Sequence, residues 1–313
     1  MSRSTSAGPR GPVQAGAPWS PAHEVLSRVA YPVMLLGIVA TFVLTTRHGW
    51  DTGQITFIFQ LALTAYLVAL EYLIPHDRSW QPSRREWGLY GVYYVLTVIG
   101  GALGQALVLR LVGVIAPPHP ALPLWGELPL ALLLGSLAGY IVHRLGHTLP
   151  WLWRLHGVHH VPDKVNVGNN GVNHVADVFI SQGFTQLALA LIGFSERAVF
   201  GVGLFVVVQG YFVHANIRVR LGVLNHVFAS PELHRLHHST DLSEAGHFGT
   251  DLSIWDRAFS SFTWHPGREP VAVGLSDPGT FPGTGAIVAT LIHPLRRTGR
   301  GGERAGENRE PAG

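Results

Sequence analysis

Four long apolar stretches set the plan of the chain: 29–45, 55–74, 89–116 and 124–142, each carrying few charged residues. A helix of about 20 residues crosses a hydrocarbon core, and each stretch reaches or nearly reaches that length. One such segment alone fits a buried helix of a large soluble protein equally well. Four within little more than a hundred residues predict spanning helices. Two further apolar segments, 184–194 and 198–213, are joined by Ser195, Glu196 and Arg197. The first is short for a crossing, so a helical hairpin dipping into the membrane is as good an expectation as two full spans. The fold expected is all-α and polytopic, with about four spans, a membrane-dipping hairpin and a polar helical cap.

Outside these segments the pattern changes. Residues 1–24 and 298–313 are low-complexity stretches with little to bury, expected to be disordered. That leaves 25–297 as one membrane-embedded unit. The first 23 residues hold no apolar run followed by a small-residue cleavage site, so no signal peptide is expected. Arg3, Arg10 and Arg28 precede the first stretch, Arg78, Arg84 and Arg85 follow the second, and Arg144, Arg154 and Lys164 follow the fourth. The loop 117–123 has no basic residue and the first loop only Arg47. This asymmetry places both termini and the polar cap on the cytoplasmic side.

Composition agrees with the membrane reading. Apolar residues make up 47% of the 313 and charged ones 13%, with a mean hydropathy of +0.24. The formal charge of +3 does not indicate nucleic acid, because the basic residues sit at helix ends and tails rather than along one face. Anionic lipid headgroups account for them better. The chain has no cysteine, which excludes disulfides, thiolate catalysis and Cys-ligated clusters.

Histidine carries the candidate chemistry. The stretch HRLGHTLPWLWRLHGVHH runs from His143 to His160, and HRLHH from His234 to His238. With 18 histidines in 313 residues, an HxxHH arrangement should arise by chance about 0.06 times. It occurs twice, beside an HxxxH. On helices His143 and His147 share a face, as do His156, His159 and His160, and again His234, His237 and His238. A solvated, titrating cluster is the bland alternative, but charged imidazoles packed this densely beside apolar helices would repel one another.

The surrounding residues refine the expectation. Pro150 and Trp151 to Trp153 read as a turn with an interfacial aromatic segment, and the His156 triad as a short helix closed by Pro162. The Gly- and Asn-rich run 166–173 reads as a loop able to approach the site. His174 lies between two ligand sets and is expected to ligate, with Asp177 orienting a ring nitrogen. His214, at the end of an apolar segment and level with His143, is a further expected ligand. Ser230 and Pro231 fit the N-cap and first position of the helix bearing the last triad. His226 is expected to be structural, Asp241, Asp251 and Asp256 to support ligands, and Glu71 to pair with a local Arg at a helix terminus. So many imidazoles exceed what one ion can use, so two metal ions are the economical inference. Imidazole itself leaves the metal open.

HRLGH, HGVHH and HRLHH, with VHANI between them and FGTDLSIWDRAF after them, resemble the fatty acid hydroxylase and sterol desaturase superfamily of integral-membrane di-iron oxygenases. The resemblance covers about 71–259. It implies two iron ions held by His143, His147, His156, His159, His160, His234, His237 and His238, joined by His214 and His174. It further implies O2 as co-substrate and oxidation of an unactivated C–H bond to an alcohol or, after a second hydrogen abstraction, an alkene. Two positions depart from the family pattern. His247 stands before Phe248 and Gly249 where the family commonly has Asn, which raises an added or altered ligand. WDRAFSS replaces WDRLFGT, which bears on local packing.

The function expected is hydroxylation of a lipid or other apolar substrate reaching the site from the bilayer, with desaturation as the nearest alternative. His265, Pro266 and Gly267 resemble the HPG of a fused cytochrome b5, but too little chain follows for that domain, so electrons are expected from a separate donor protein. A zinc hydrolase lacks its HExxH glutamate here, and a metal transporter would carry ionisable residues within its spans.

Overall fold

A computed structural model describes residues 20–115 and 122–296. The expected disordered tails lie outside this range except for residues 20–24, and residues 21–24 are helical. Helix α1 (Pro21–His48) opens with Pro at its first position and closes at Gly49, whose φ of 64° turns its N–H back to the Thr45 carbonyl. Helix α2 (Thr52–Leu73) is capped by Asp51, which accepts from the Gln54 N–H at 2.7 Å. Helices α3 (Arg84–Ile115) and α4 (Leu124–Thr148) follow, then a short α5 (Pro150–His156). Next come α6 (Val175–Ile192) and α7 (Glu196–His214), and after them the short α8 (Pro231–His237), α9 (Ile254–Ala258) and α10 (Ile287–Ile292). Among the described residues, pairing outside helices is limited to isolated bridges such as Pro75 with Ile217.

Six of the described helices are long and apolar enough to cross a membrane, the four expected spans α1 to α4 and the pair α6 and α7. The dipping hairpin expected at 184–213 is a pair of longer helices, because α6 begins at Val175 rather than Phe184. Its first half carries Asp177, Ser181 and Gln182, which interrupt the apolar run without interrupting the helix. The hairpin tip also runs deep. Ser195 caps α7, and its N–H and Oγ donate to the two carboxylate oxygens of Glu127 at 3.0 and 2.6 Å. Glu127 lies in the first turn of α4, about 24 Å along the helix from His143. The tip thus reaches the end of α4 opposite its histidines.

Helix α7 is the centre of the bundle, with 56% of its apolar window buried against 11% for α6. Val208, Tyr211 and Phe212 pack between Ala30, Tyr31 and Met34 of α1 and Leu63, Leu67 and Leu70 of α2. On the other side Ala198 and Val202 meet Ala131 of α4 and Leu189 of α6. Helices α3 and α6 approach through Gly100 and Gly104, where an added Cβ would come within 2.6 Å of the Val175 carbonyl and 3.0 Å of that of Phe179. Small residues one turn apart permit such contact between helices in lipid. Apolar side chains such as Leu36, Ile58, Val95 and Leu103 point outward.

The C-terminal ends of α2, α4 and α7 and the N-terminal ends of α3 and α6 meet at one end of the bundle. The segments 74–83, 149–174 and 215–296 cover that end as a cap. Buried Glu71, at the end of α2, turns its carboxylate to the backbone of the cap. Its Oε1 accepts the backbone N–H groups of Val167 and Asn216, both at 2.7 Å, joining α2 to two cap segments. Unpaired backbone donors at a buried junction need such an acceptor.

Candidate metal centre

The last two turns of α4 project His143 and His147 from one face. The chain then reverses at Leu149, and Pro150 starts α5, so 150–153 is the first turn of a helix rather than a loop. This helix ends at His156, and the expected helical triad is split. His159 and His160 follow in a tight turn, their N–H groups bonding the carbonyls of His156 and Gly157 at 2.9 and 3.1 Å. His214 is the last residue of α7. Helix α8 begins as expected, with Ser230 accepting from the Leu233 N–H and Pro231 at its first position, and it carries His234 and His237 with His238 at its end.

These nine side chains form two adjacent groups. One contains His143, His147, His156, His160 and His237, and the other His159, His214, His234 and His238; within each group the nearest ring nitrogens all lie within 4.8 Å of one another. Neighbours in sequence go to opposite groups at two points, His159 with His160 and His237 with His238.

The ring orientations are fixed from outside. His143 Nδ1 lies 2.6 Å from the Phe248 carbonyl, His237 Nδ1 2.9 Å from that of Gly246, and His159 Nδ1 3.3 Å from that of Val172. A carbonyl only accepts, so each Nδ1 carries the proton and each Nε2 keeps its lone pair. His156 Nδ1 meets Asp177 Oδ2 at 3.0 Å, and His214 Nδ1 meets Asn169 Oδ1 at 3.2 Å. The Nε2 atoms turn inward. Those of His143 and His156 are 3.0 Å apart, those of His159 and His214 2.9 Å, and those of His234 and His238 3.1 Å.

Two lone pairs facing at that distance repel unless a cation lies between them, and nitrogens sharing an ion about 2 Å away are naturally spaced about 3 Å apart. The buried Nε2 atoms of His147, His160 and His237 have no hydrogen-bond partner at all. Burial, reinforced by neighbouring imidazoles, holds the protonation of His159, His160, His234, His237 and His238 well below the ordinary histidine range. Neutral imidazole is the ligating form. The residues fit a pair of bound metal ions.

His174 does not join them. Its Nδ1 accepts from the Ala176 N–H at 3.1 Å, capping α6, and its Nε2 lies 3.2 Å from the Leu291 carbonyl. Its place in the sequence between two histidine motifs suggested ligation, whereas in the fold its ring is turned to backbone at a helix start. His247 also lies outside both groups, bonded through Nε2 to Thr263. His226 packs against Phe262 and Trp264, away from the groups. Of the carboxylates, Asp177 and Asp256 bear on ring orientation, the latter through the backbone of Phe248 and Gly249. Asp251 instead accepts from Ser136 of α4, and Asp241 closes an exposed turn with Ser243. The carbonyls of Val172, Gly246 and Phe248 could not be found from residue types, and the 166–173 loop was the one available sign of Asn169.

Residues 128–261 match the family model "Fatty acid hydroxylase", and all nine clustered histidines fall within that match. The chain is similar to an ornithine lipid hydroxylase of Rhizobium tropici, 28% identical over 254 residues that cover 77% of this chain and 75% of that protein. It is also similar to alkylglycerol monooxygenases, 33% identical over 160 residues to that of Danio rerio and 29% over 143 residues to that of Homo sapiens. These alignments cover 49% and 44% of this chain and only 34% and 31% of those longer proteins. No solved structure gives a significant match. With the three His motifs in order, the apolar helices before them and these relatives beside them, residues 128–261 form a fatty acid hydroxylase domain, within a chain similar to lipid hydroxylases and monooxygenases.

Proposed function

We propose that this protein is a di-iron oxygenase that hydroxylates a lipid at an unactivated C–H bond. The observation that carries the reading is the pair of all-histidine groups at the cap end of the bundle, where α4 and α7 end. His143, His147, His156, His160 and His237 would hold one ion, and His159, His214, His234 and His238 the other. Iron bound there supplies dioxygen activation and C–H oxidation, which no side-chain acid or base can perform. Asp177, Asn169 and the three carbonyls fix the rings, so the ligand set is organised before any ion arrives. Burial of the cluster beneath the cap keeps bulk water from it. The apolar outer face of the bundle suits a substrate that arrives from the bilayer.

The reaction consumes one O2, two electrons and two protons for each alcohol and water formed. The electrons come from a separate donor protein. Arg78, Arg84, Arg85, Arg154, Arg218 and Arg220 lie at the cap end, which supports a cytoplasmic location for the site. Hydroxylation is favoured over desaturation because the relatives are named as a lipid hydroxylase and monooxygenases. Among the described residues both groups consist of histidine alone, a donor set that suits a zinc hydrolase poorly, since that chemistry needs a base beside its metal.

The test is mass spectrometry of lipids from cells expressing the protein with a working reductase under 18O2, against a His237→Ala, His238→Ala variant. A product carrying one labelled oxygen, absent from the variant, is expected. A product lighter by two hydrogens would replace hydroxylase with desaturase, and zinc alone in the purified protein with no product would refute the oxygenase reading.

A further inference from the structure

The loop between α8 and α9 places one residue between two carbonyls that address the cluster. His247 has a φ of 60°, in the left-handed region, and its side chain is 1% exposed. The carbonyl before it, of Gly246, receives the His237 Nδ1 proton, and the carbonyl after it, of Phe248, receives that of His143. Both histidines belong to the same group. The torsion at residue 247 therefore lies on the covalent path that relates two orienting acceptors of one metal position.

The loop has little freedom to compensate. An added Cβ at Gly246 would come within 2.1 Å of the Ser261 carbonyl, and one at Gly249 within 2.4 Å of that of Leu252. Asp256 grips the other edge, accepting the Phe248 N–H at 2.7 Å and the Gly249 N–H at 3.0 Å. His247 itself donates its N–H to Ser261 O at 3.0 Å. Its ring is turned away from ligation. Its Nε2 is engaged by Thr263, 3.2 Å from the backbone nitrogen and 3.0 Å from Oγ1, and the ring belongs to neither histidine group.

We propose that His247 is a positioning residue, whose left-handed backbone aims the Gly246 and Phe248 carbonyls at His237 and His143 and so completes one of the two metal positions. The demand at this site is conformational. Glycine meets it freely, and Asn, Asp and His tolerate it better than other residues, whereas a β-branched residue is a genuine outlier there. The inference rests on the di-iron reading and concerns only the group of His143, His147, His156, His160 and His237.

The experiment compares wild type with His247→Asn, His247→Gly, His247→Ala and His247→Val, purified in one detergent, by iron per chain and 57Fe Mössbauer spectra. Wild type, the Asn and the Gly variants should hold two irons. The Val variant should fall toward one, its affinity at the affected position lowered 10-fold or more, with one iron signal lost and the other unchanged. Loss in the Asn and Gly variants equal to that in Val would make the ring a ligand and overturn the proposal. So would two unaltered irons in Val, or loss of both irons together, which marks a purely structural role. Should Val not fold, Ala must still lose more iron than Gly although Gly removes more of the side chain; equality overturns the proposal. A wild type that binds no iron would refute the metal reading itself, an outcome separate from all of these.

Discussion

Asp177 Oδ2 stands 3.0 Å from His156 Nδ1, joining the first turn of α6 to the end of α5. A carboxylate behind a ligating imidazole fixes its tautomer and ring plane and raises its basicity. Asp177→Ala should weaken metal binding about 10- to 100-fold at the group containing His156, read by competition with a chelator of known affinity. Asp177→Asn, which retains an acceptor oxygen, should lose less.

Asn169 plays the corresponding part for His214 in the other group. Its side chain also closes a reciprocal capping box with Asn166, so one residue both shapes its loop and orients a ring. Asn169→Asp should keep the contact with His214, while Asn169→Leu should lower iron content and turnover about 10-fold or more. Equal effects of the two substitutions would argue that only the loop matters.

The metal-free protein should lose stability in mild acid. His159, His160, His234, His237 and His238 are held neutral by burial, and His247 is brought down to about 3 by burial and by Arg268. Below the ordinary histidine pKa near 6.5 the unfolded chain therefore binds more protons than the folded one, and stability falls as pH falls. Each such histidine adds a slope of up to about 1.4 kcal/mol per pH unit. The Tm of metal-free protein in detergent should drop steeply between pH 7 and pH 5, and a flat profile would contradict the burial of neutral rings.

At the far end of the bundle Glu127 holds the α6–α7 turn through Ser195. Glu127→Ala removes two part-buried hydrogen bonds to Ser195 and should cost about 1–3 kcal/mol in all. Iron content measured in the cold should not change, since the lesion lies about 24 Å along α4 from His143. A variant depleted of iron but not of stability would reverse this assignment.

Much of the candidate site was legible because the histidines that cluster stand in compact sequence motifs. HxxxH and the two HxxHH motifs announce eight of the nine histidines in the two groups, and His214 was reached from its position at the end of an apolar segment. His174 misled because nearness in sequence to two ligand sets says nothing of a helix start, where its ring is turned to backbone. The first half of α6 was missed because Asp177 and its polar neighbours serve the cap there and dilute the apolar signal. The carbonyls behind His143, His159 and His237 belong to the backbone, which every residue has alike, so no residue type could have disclosed them.

The splitting of His159 from His160, and of His237 from His238, has a mechanical consequence. The two groups are yoked twice by single peptide links, and consecutive Cα atoms across a trans peptide stay about 3.8 Å apart whatever the surrounding protein does. Breathing of the bundle in a fluctuating bilayer can tilt a ring or loosen a cap, yet the backbone interval between the two histidine groups at these links is gauged by bonded geometry rather than by the compliance of the helices in lipid.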